Sequence, residues 1–470
     1  MKHRAGGTIA LLLASALCCL MISGCNSCAA IGSLNEGDEP MDVLAALGTD
    51  VFGAHAQSVS KLQPALPRSS AYTPTHYKAG YEALYTDAQK KAYEAMENAI
   101  FRFTNEGGGE NGRCQMERAY IPRLSSAEIY MVKEAVMADH PEAFWITKAY
   151  SLEYNFKEGD YIILYSSYSY DEAMKRLRAL ENAVGVYLSD MPVGLKDYEK
   201  EKYIHDRLVT ECDYDVSVAE KQQVNSEASG AYGALVNHRA VCGGYVCAMK
   251  LLMDRVGIAS IPVRGTSEEI GHVWLMVNID NSWYHLDPTW DDPVATEPSL
   301  SIHYDYFNLT DEMICEDHEL AENYSALTEE LIRSGEAGSS FYNFTLPPAT
   351  STVRNFYEQE AIKVDDLSDA SAKTLAEKLT AAVRNGKNEL SIKFSDDVTP
   401  EAAKSWLTGD NGCLMESVKA SNRENEKKIV EYVITSHTRE DSLPHMQRIY
   451  TIRLTFEAKS EQPPEATSEQ

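Results

Sequence analysis

Cys242, His272 and Asp287 are the three residues of this chain whose types and order could run nucleophilic catalysis. A thiolate attacks a carbonyl carbon. A histidine takes the thiol proton and later returns it to the leaving group, while a carboxylate holds the imidazole in the useful tautomer. Singly, each residue has an ordinary structural explanation. A lone cysteine at a helix start is usually inert, a strand histidine is usually a satisfied polar residue, and Asp before Pro commonly ends a strand. Their occurrence together, each in a fitting local context, tips the balance toward chemistry.

The elements that must position them are legible nearby. After Ala240-Val241-Cys242-Gly243-Gly244-Tyr245, the residues Ala248, Met249, Leu252, Met253 and Val256 recur at helical spacing, and Gly257 reads as the helix stop. Cys242 therefore sits at a helix entrance, where unpaired amides and the helix dipole favour an anion and lower a thiol's pKa. Gly243 and Gly244 are expected to leave room for a substrate backbone. Cys247 falls inside the helix and reads as a buried small hydrophobe. The stretch Gly271–Ile279 alternates as a strand, with His272, Trp274, Met276 and Asn278 on one face. Asp280-Asn281 is a turn signal, and Ser282–Asp287 forms the next strand. A two-residue loop there sets Trp274 opposite Asp287 and makes His272 its diagonal neighbour; one extra loop residue would turn Asp287 to the other face.

At this point the residues resemble a known family. A-V-C-x-G-Y around Cys242, G-H-V-W around His272, and W-Y-H-L-D-P-T-W-D-D around Asp287 are similar to the transglutaminase-like superfamily, in particular its bacterial surface and lipoprotein members. Tyr203-Ile204-His205-Asp206, Tyr214-Asp215, Ala231–Val236, Tyr306-Phe307-Asn308 and Asp317-His318 agree as flanks, so the resemblance covers about residues 198–320. It implies an α+β fold with a papain-like core, in which a cysteine-bearing helix packs on an antiparallel sheet. It also implies acyl transfer through a thioester. The acceptor is open: water gives hydrolysis of an amide, an amine gives crosslinking, and some members only bind. For the oxyanion, the Cys242 amide is one donor; Tyr232 and Asn237 are weak candidates for the second, with core or turn roles ahead for both.

Other signals are weaker. Gly107–Gly112 contains G-x-G-x-x-G, but it follows a helical stretch and is flanked by Glu106 and Glu110, which would repel a pyrophosphate. His205, His238, His285, His303 and His318 lack paired metal spacing and read as structural or surface residues. Trp274, Trp283, Tyr284 and Trp290 read as hairpin packing. No metal or cofactor is expected. The net charge of -28 would repel phosphate backbones, which argues against nucleic acid as a partner.

Along the chain, residues 1–24 read as a lipoprotein signal peptide: Lys2, His3 and Arg4, then an apolar stretch too short for a comfortable span, then Ile22-Ser23-Gly24-Cys25. This ending resembles a lipobox, with Cys25 as the lipidated residue. Residues 25–75 read as a tether, 76–192 as an N-terminal α+β region, 193–335 as the transglutaminase-like domain, 340–458 as a C-terminal α+β domain, and 459–470 as a disordered tail. In the N-terminal region, helices are expected over 86–104, after an N-cap at Ser126, and near 171–188, with a hairpin around Glu158-Gly159-Asp160. In the C-terminal domain, Ser371–Val383 reads as helix, Leu390–Phe394 as strand, and Ile429–Ile434 and Ile449–Phe456 as a pair. Beyond Cys18, Cys19 and Cys25, seven cysteines remain, an odd number that fits one working thiol plus pairs.

These readings combine into an extracytoplasmic, membrane-anchored thiol enzyme acting on protein or peptide amides at the cell envelope, with hydrolysis ahead of crosslinking. The alternative is a catalytically silent binding or scaffold module on a surface lipoprotein.

Overall fold

The structure is a computed structural model that describes residues 49–50, 62–67, 77–104, 113–155, 159–221, 227–267, 269–292, 302–334, 342–409, 412–436 and 444–457. The signal segment, Cys25, Cys28, the Gly107–Gly112 loop and the 459–470 tail lie outside them. Contacts divide the chain into two compact units, Met1–Ser351 and Thr352–Gln470. Among the described residues no helix is long and apolar enough to cross a membrane.

The first part of unit one is a mixed layer. Helices α1 (Asp87–Ala99) and α2 (Ser126–Asp139) pack beside a sheet built on β1 (Ile146–Tyr154) and β2 (Gly159–Ser166), followed by α3 (Tyr170–Ser189). β1 and β2 pair antiparallel, as the alternation predicts. The N-cap of α2 is Ser125 rather than Ser126. This places Glu128 at the third helical position, where it completes a capping box. Part of the stretch read as a tether belongs to this layer: Leu66 is buried in its core, and the Gln63 and Leu66 amides donate to Phe103 and Phe101 carbonyls. An apolar residue with an open core site beside it packs there rather than staying in water.

The second part of unit one holds the site. α4 (Asp197–Glu211) and α5 (Ala231–Val236) precede α6 (Cys242–Val256), which ends at Gly257 with φ +80°, the left-handed cap that glycine adopts without strain. α6 packs on β3 (Ser260–Ser267) and β4 (Ile270–Ile279). These join β5 (Ser282–Leu286), β6 (Phe307–Leu309) and β7 (His318–Leu320) in an antiparallel five-stranded sheet. The strand order is β6-β5-β4-β3-β7. The fold is α+β, with the cysteine-bearing helix on an antiparallel sheet as the resemblance implies.

Unit two has its own core around Leu375, Leu379, Ile392, Phe394 and Ile452. Its strands are β8 (Ile362–Val364), β9 (Glu389–Phe394), β10 (Ile429–Ser436) and β11 (Ile449–Phe456), in the order β8-β9-β11-β10. β10 and β11 pair antiparallel, as their alternation predicts. The short β8, parallel to β9, is not foreshadowed by any alternation long enough to read.

Candidate active site

The β4–β5 hairpin is what brings Asp287 to His272. Asp280 and Asn281 both take positive φ, 52° and 66°, the backbone of a two-residue hairpin turn whose twist matches the strands. Ser282 then pairs with Ile279 and Leu286 with Leu275, the register that the turn predicts. Asp287 follows directly after the strand. Its Oδ2 lies 2.5 Å from His272 Nε2, and both side chains are buried.

Asp287 is held from several sides. Its Oδ1 accepts from the Thr289 and Trp290 amides at 2.9 and 3.3 Å. Its Oδ2 also meets His318 Nε2 at 3.3 Å. Burial alone would raise the carboxyl pKa, but the charges and hydrogen bonds of His272 and His318 outweigh it and hold the group well below the usual carboxylate range. An ionised carboxylate only accepts, so each imidazole presents an N–H to it. For His272 this assigns Nε2 to Asp287 and puts Nδ1 on the far side of the ring. His318 also meets Asp317 through Nδ1, at 2.5 Å. Burial disfavours its charge, but hydrogen bonds to Asp287 and Asp317 prevail and raise its pKa. His285 behaves oppositely. Trp274 Nε1 donates to its Nδ1 at 3.0 Å, so its Nε2 carries the hydrogen toward Asp311, and burial lowers its pKa. The Trp274 ring stacks on His272 with centroids 6.0 Å apart.

Cys242 is the first residue of α6 and is buried, at 3% exposure. The helix is tied to the acid's own loop one turn further on. The Tyr245 hydroxyl donates to Asp292 and also contacts the Cys212 carbonyl oxygen at 3.0 Å. Asp291 accepts from the Tyr306 amide at 2.9 Å and meets His205 Nε2 at 3.1 Å. The run Asp287-Pro288-Thr289-Trp290-Asp291-Asp292 thus buries three carboxylates, each bonded to a different element.

One expectation for the neighbourhood needs correction. A side chain at Gly244 would run into the Ala228 carbonyl oxygen, at 2.3 Å, and one at Gly243 would press on that of Ser229, at 3.0 Å. The glycines let α6 pack on the preceding segment, and at Gly244 that segment takes the room expected for a substrate. Asn237 donates to Glu227 at 2.9 Å, and Tyr232 packs on Phe144 and under the Arg176 guanidinium, so both carry packing roles. None of the six described cysteines is in a disulfide. Burial pushes the Cys247 thiol up to about 11 and those of Cys212 and Cys413 up to about 12.

The residue that sequence reasoning passed over is His318. Its only signal was the Asp317-His318 flank, because its contact with Asp287 is made through an edge strand far along the chain.

Residues 192–288 match the sequence model of the transglutaminase-like superfamily, a span that includes Cys242, His272 and Asp287. Over these residues the chain carries a domain of that superfamily. Curated proteins give no match. Among solved structures, the chain is similar to a transglutaminase (TGase) crystal structure at 14% identity and a TM-score of 0.23, over 39% of this chain and 53% of that one. It is also similar to a proposed cysteine protease from Cytophaga hutchinsonii at 10% identity and a TM-score of 0.20, over 39% and 68%. The chain spans about half the length of the first structure. Both scores are too low to speak for a shared fold.

Proposed function

We propose that the protein is an extracytoplasmic thiol acyl-transfer enzyme, lipid-anchored through Cys25 and acting on amide bonds of proteins or peptides at the cell envelope. Cys242 is the nucleophile, His272 the acid–base and Asp287 the orienting acid. The thiol proton passes to His272 Nδ1 as sulfur bonds to the amide carbon. The amine leaves with that proton, and a thioester remains. Water, deprotonated through the same imidazole, then releases the acid and restores the thiol. We place hydrolysis ahead of amine transfer.

The observation that carries this reading is the 2.5 Å contact between His272 and Asp287, on the sheet against which the Cys242 helix packs. Labelling with an electrophilic glutamine-amide or peptide probe, followed by mapping of the modified residue, tests it. Cys242 should be captured, and Cys242→Ala should lose labelling and turnover while melting near the wild-type temperature. Turnover in that variant would sink the mechanism. Unlabelled protein with a stable fold would favour a silent binding module. Release of free acid, against incorporation of a primary amine, separates the two acceptors. For the anchor, palmitate incorporated in a bacterial host should vanish in Cys25→Ala.

A further inference from the structure

Between α2, the segment after it and the first turns of α6 lies a cavity of about 380 Å³, within the size range of small-molecule sites. Met137, Phe144 and Val273 give it apolar wall. Its charged lining is cationic in balance: Lys133, Lys148, Lys250 and Arg264 stand against Glu134 and Glu227. That is opposite to a chain with a net charge of -28. Most of these charges are engaged. Lys250 pairs with Asp254 at 3.1 Å, and Glu227 takes Arg176 and Asn237. Glu134 takes Arg264 Nη2 at 3.4 Å. The other guanidinium nitrogen, Arg264 Nη1, is buried and meets no acceptor among the described residues. A buried donor left this way is costly, and a guanidinium fork matches a carboxylate. Arg264 is also firmly set, because its backbone N–H and carbonyl oxygen both bond the Asn343 side chain, at 2.8 and 2.7 Å.

We propose that this cavity binds a carboxylate carried on an apolar body, with Arg264 holding the anion. Gly243 lines the cavity and is bonded to Cys242, so the bound group lies beside the nucleophile's helix entrance. The carboxylate is either the free C-terminus of a peptide or that of a small organic acid. Its role as a substrate subsite rests on the thiol-enzyme reading; its binding does not.

Calorimetric titration of the full chain with hippurate and with Ala-Ala-Phe, each as free acid and as terminal amide, tests the site. At least one free acid should bind, about tenfold or more tighter than its amide. Tighter binding of the tripeptide acid names the peptide terminus, and tighter binding of hippurate names the small acid. Arg264→Gln should lose about tenfold or more, and Lys148→Met, at an exposed position, should lose less. If Arg264→Gln fails to fold, the acid–amide comparison on the unaltered protein still decides. Cys242→Ala should bind as the wild type does, even if labelling of Cys242 fails. Acid and amide binding alike, no heat at millimolar ligand, or binding lost in Cys242→Ala would each overturn the proposal.

Discussion

Asp287 accepts from two imidazoles and two backbone amides, and this fixes what each histidine can do. Asp287→Asn should keep His272 near its place but favour the wrong tautomer, with a loss in turnover on the order of a hundredfold or more. His272→Ala should lose more, because the leaving group then has no proton donor. Both should slow alkylation of Cys242 below about pH 7, where an imidazolium partner sustains a thiolate. Labelling indifferent to both would dissolve the triad into a sequence pattern. His318 bears on the same carboxylate as a positioning residue. Hydrogen bonds to Asp287 and Asp317 favour its charged form against burial, and that charge opposes a second positive charge on His272. His318→Gln should therefore shift the acid limb of the kcat/KM profile to higher pH while melting changes little. An unmoved limb would reduce His318 to packing.

The elements deliver these residues through two close approaches. Gly265 pairs with His272 on the neighbouring strand, and a side chain there would meet the Glu319 carbonyl oxygen at 2.0 Å and the Trp274 ring at 2.7 Å. The first of these is the backbone of β7, which carries His318. Gly265→Ala should destabilise by about 1–3 kcal/mol and displace His318 from Asp287. Gly185, in the exposed interior of α3, is the control: nothing lies within 4 Å of its missing Cβ. Gly185→Ala should stabilise by about 0.5–1 kcal/mol. Denaturant midpoints measured on both variants should move in opposite directions. Equal shifts would mean that β7 can yield without cost.

Across the whole molecule, buried titratable groups make stability depend on pH. His140 lies between Glu97 and Glu142, and His205 between Asp206 and Asp291. Burial opposes the charge on each, but the carboxylates prevail and push both imidazoles up to about 9 from an ordinary 6.5. The folded state thus holds protons that the unfolded chain has released. That stabilisation is complete below about pH 6.5 and is lost as pH rises through about 9. Burial also pushes Asp291 and Asp292 up to about 7, which adds a fall of the same sign at lower pH. The melting temperature should drop between pH 6.5 and pH 9, and the double variant His140→Gln with His205→Gln should flatten the drop. A melting temperature that rises across this window would contradict these charge assignments.

What the sequence determined by itself is local. The helix at Cys242 is written in apolar spacing and closed by Gly257, and the β4–β5 register follows from two residues that tolerate positive φ. These features depend on neighbours within a few positions, so the His272–Asp287 pair is legible in the order of the residues alone. Tertiary packing decided the rest. His318 reaches Asp287 only because β7 pairs with β3, and Gly265 lets that backbone come close. Gly243 and Gly244 face a carbonyl-lined segment, which no local pattern encodes. The cationic cavity joins α2, the chain after it and α6, whose residues stand more than a hundred positions apart and share no periodicity. Such juxtapositions arise from long-range burial, which sets spatial neighbours without leaving a signature in sequence spacing.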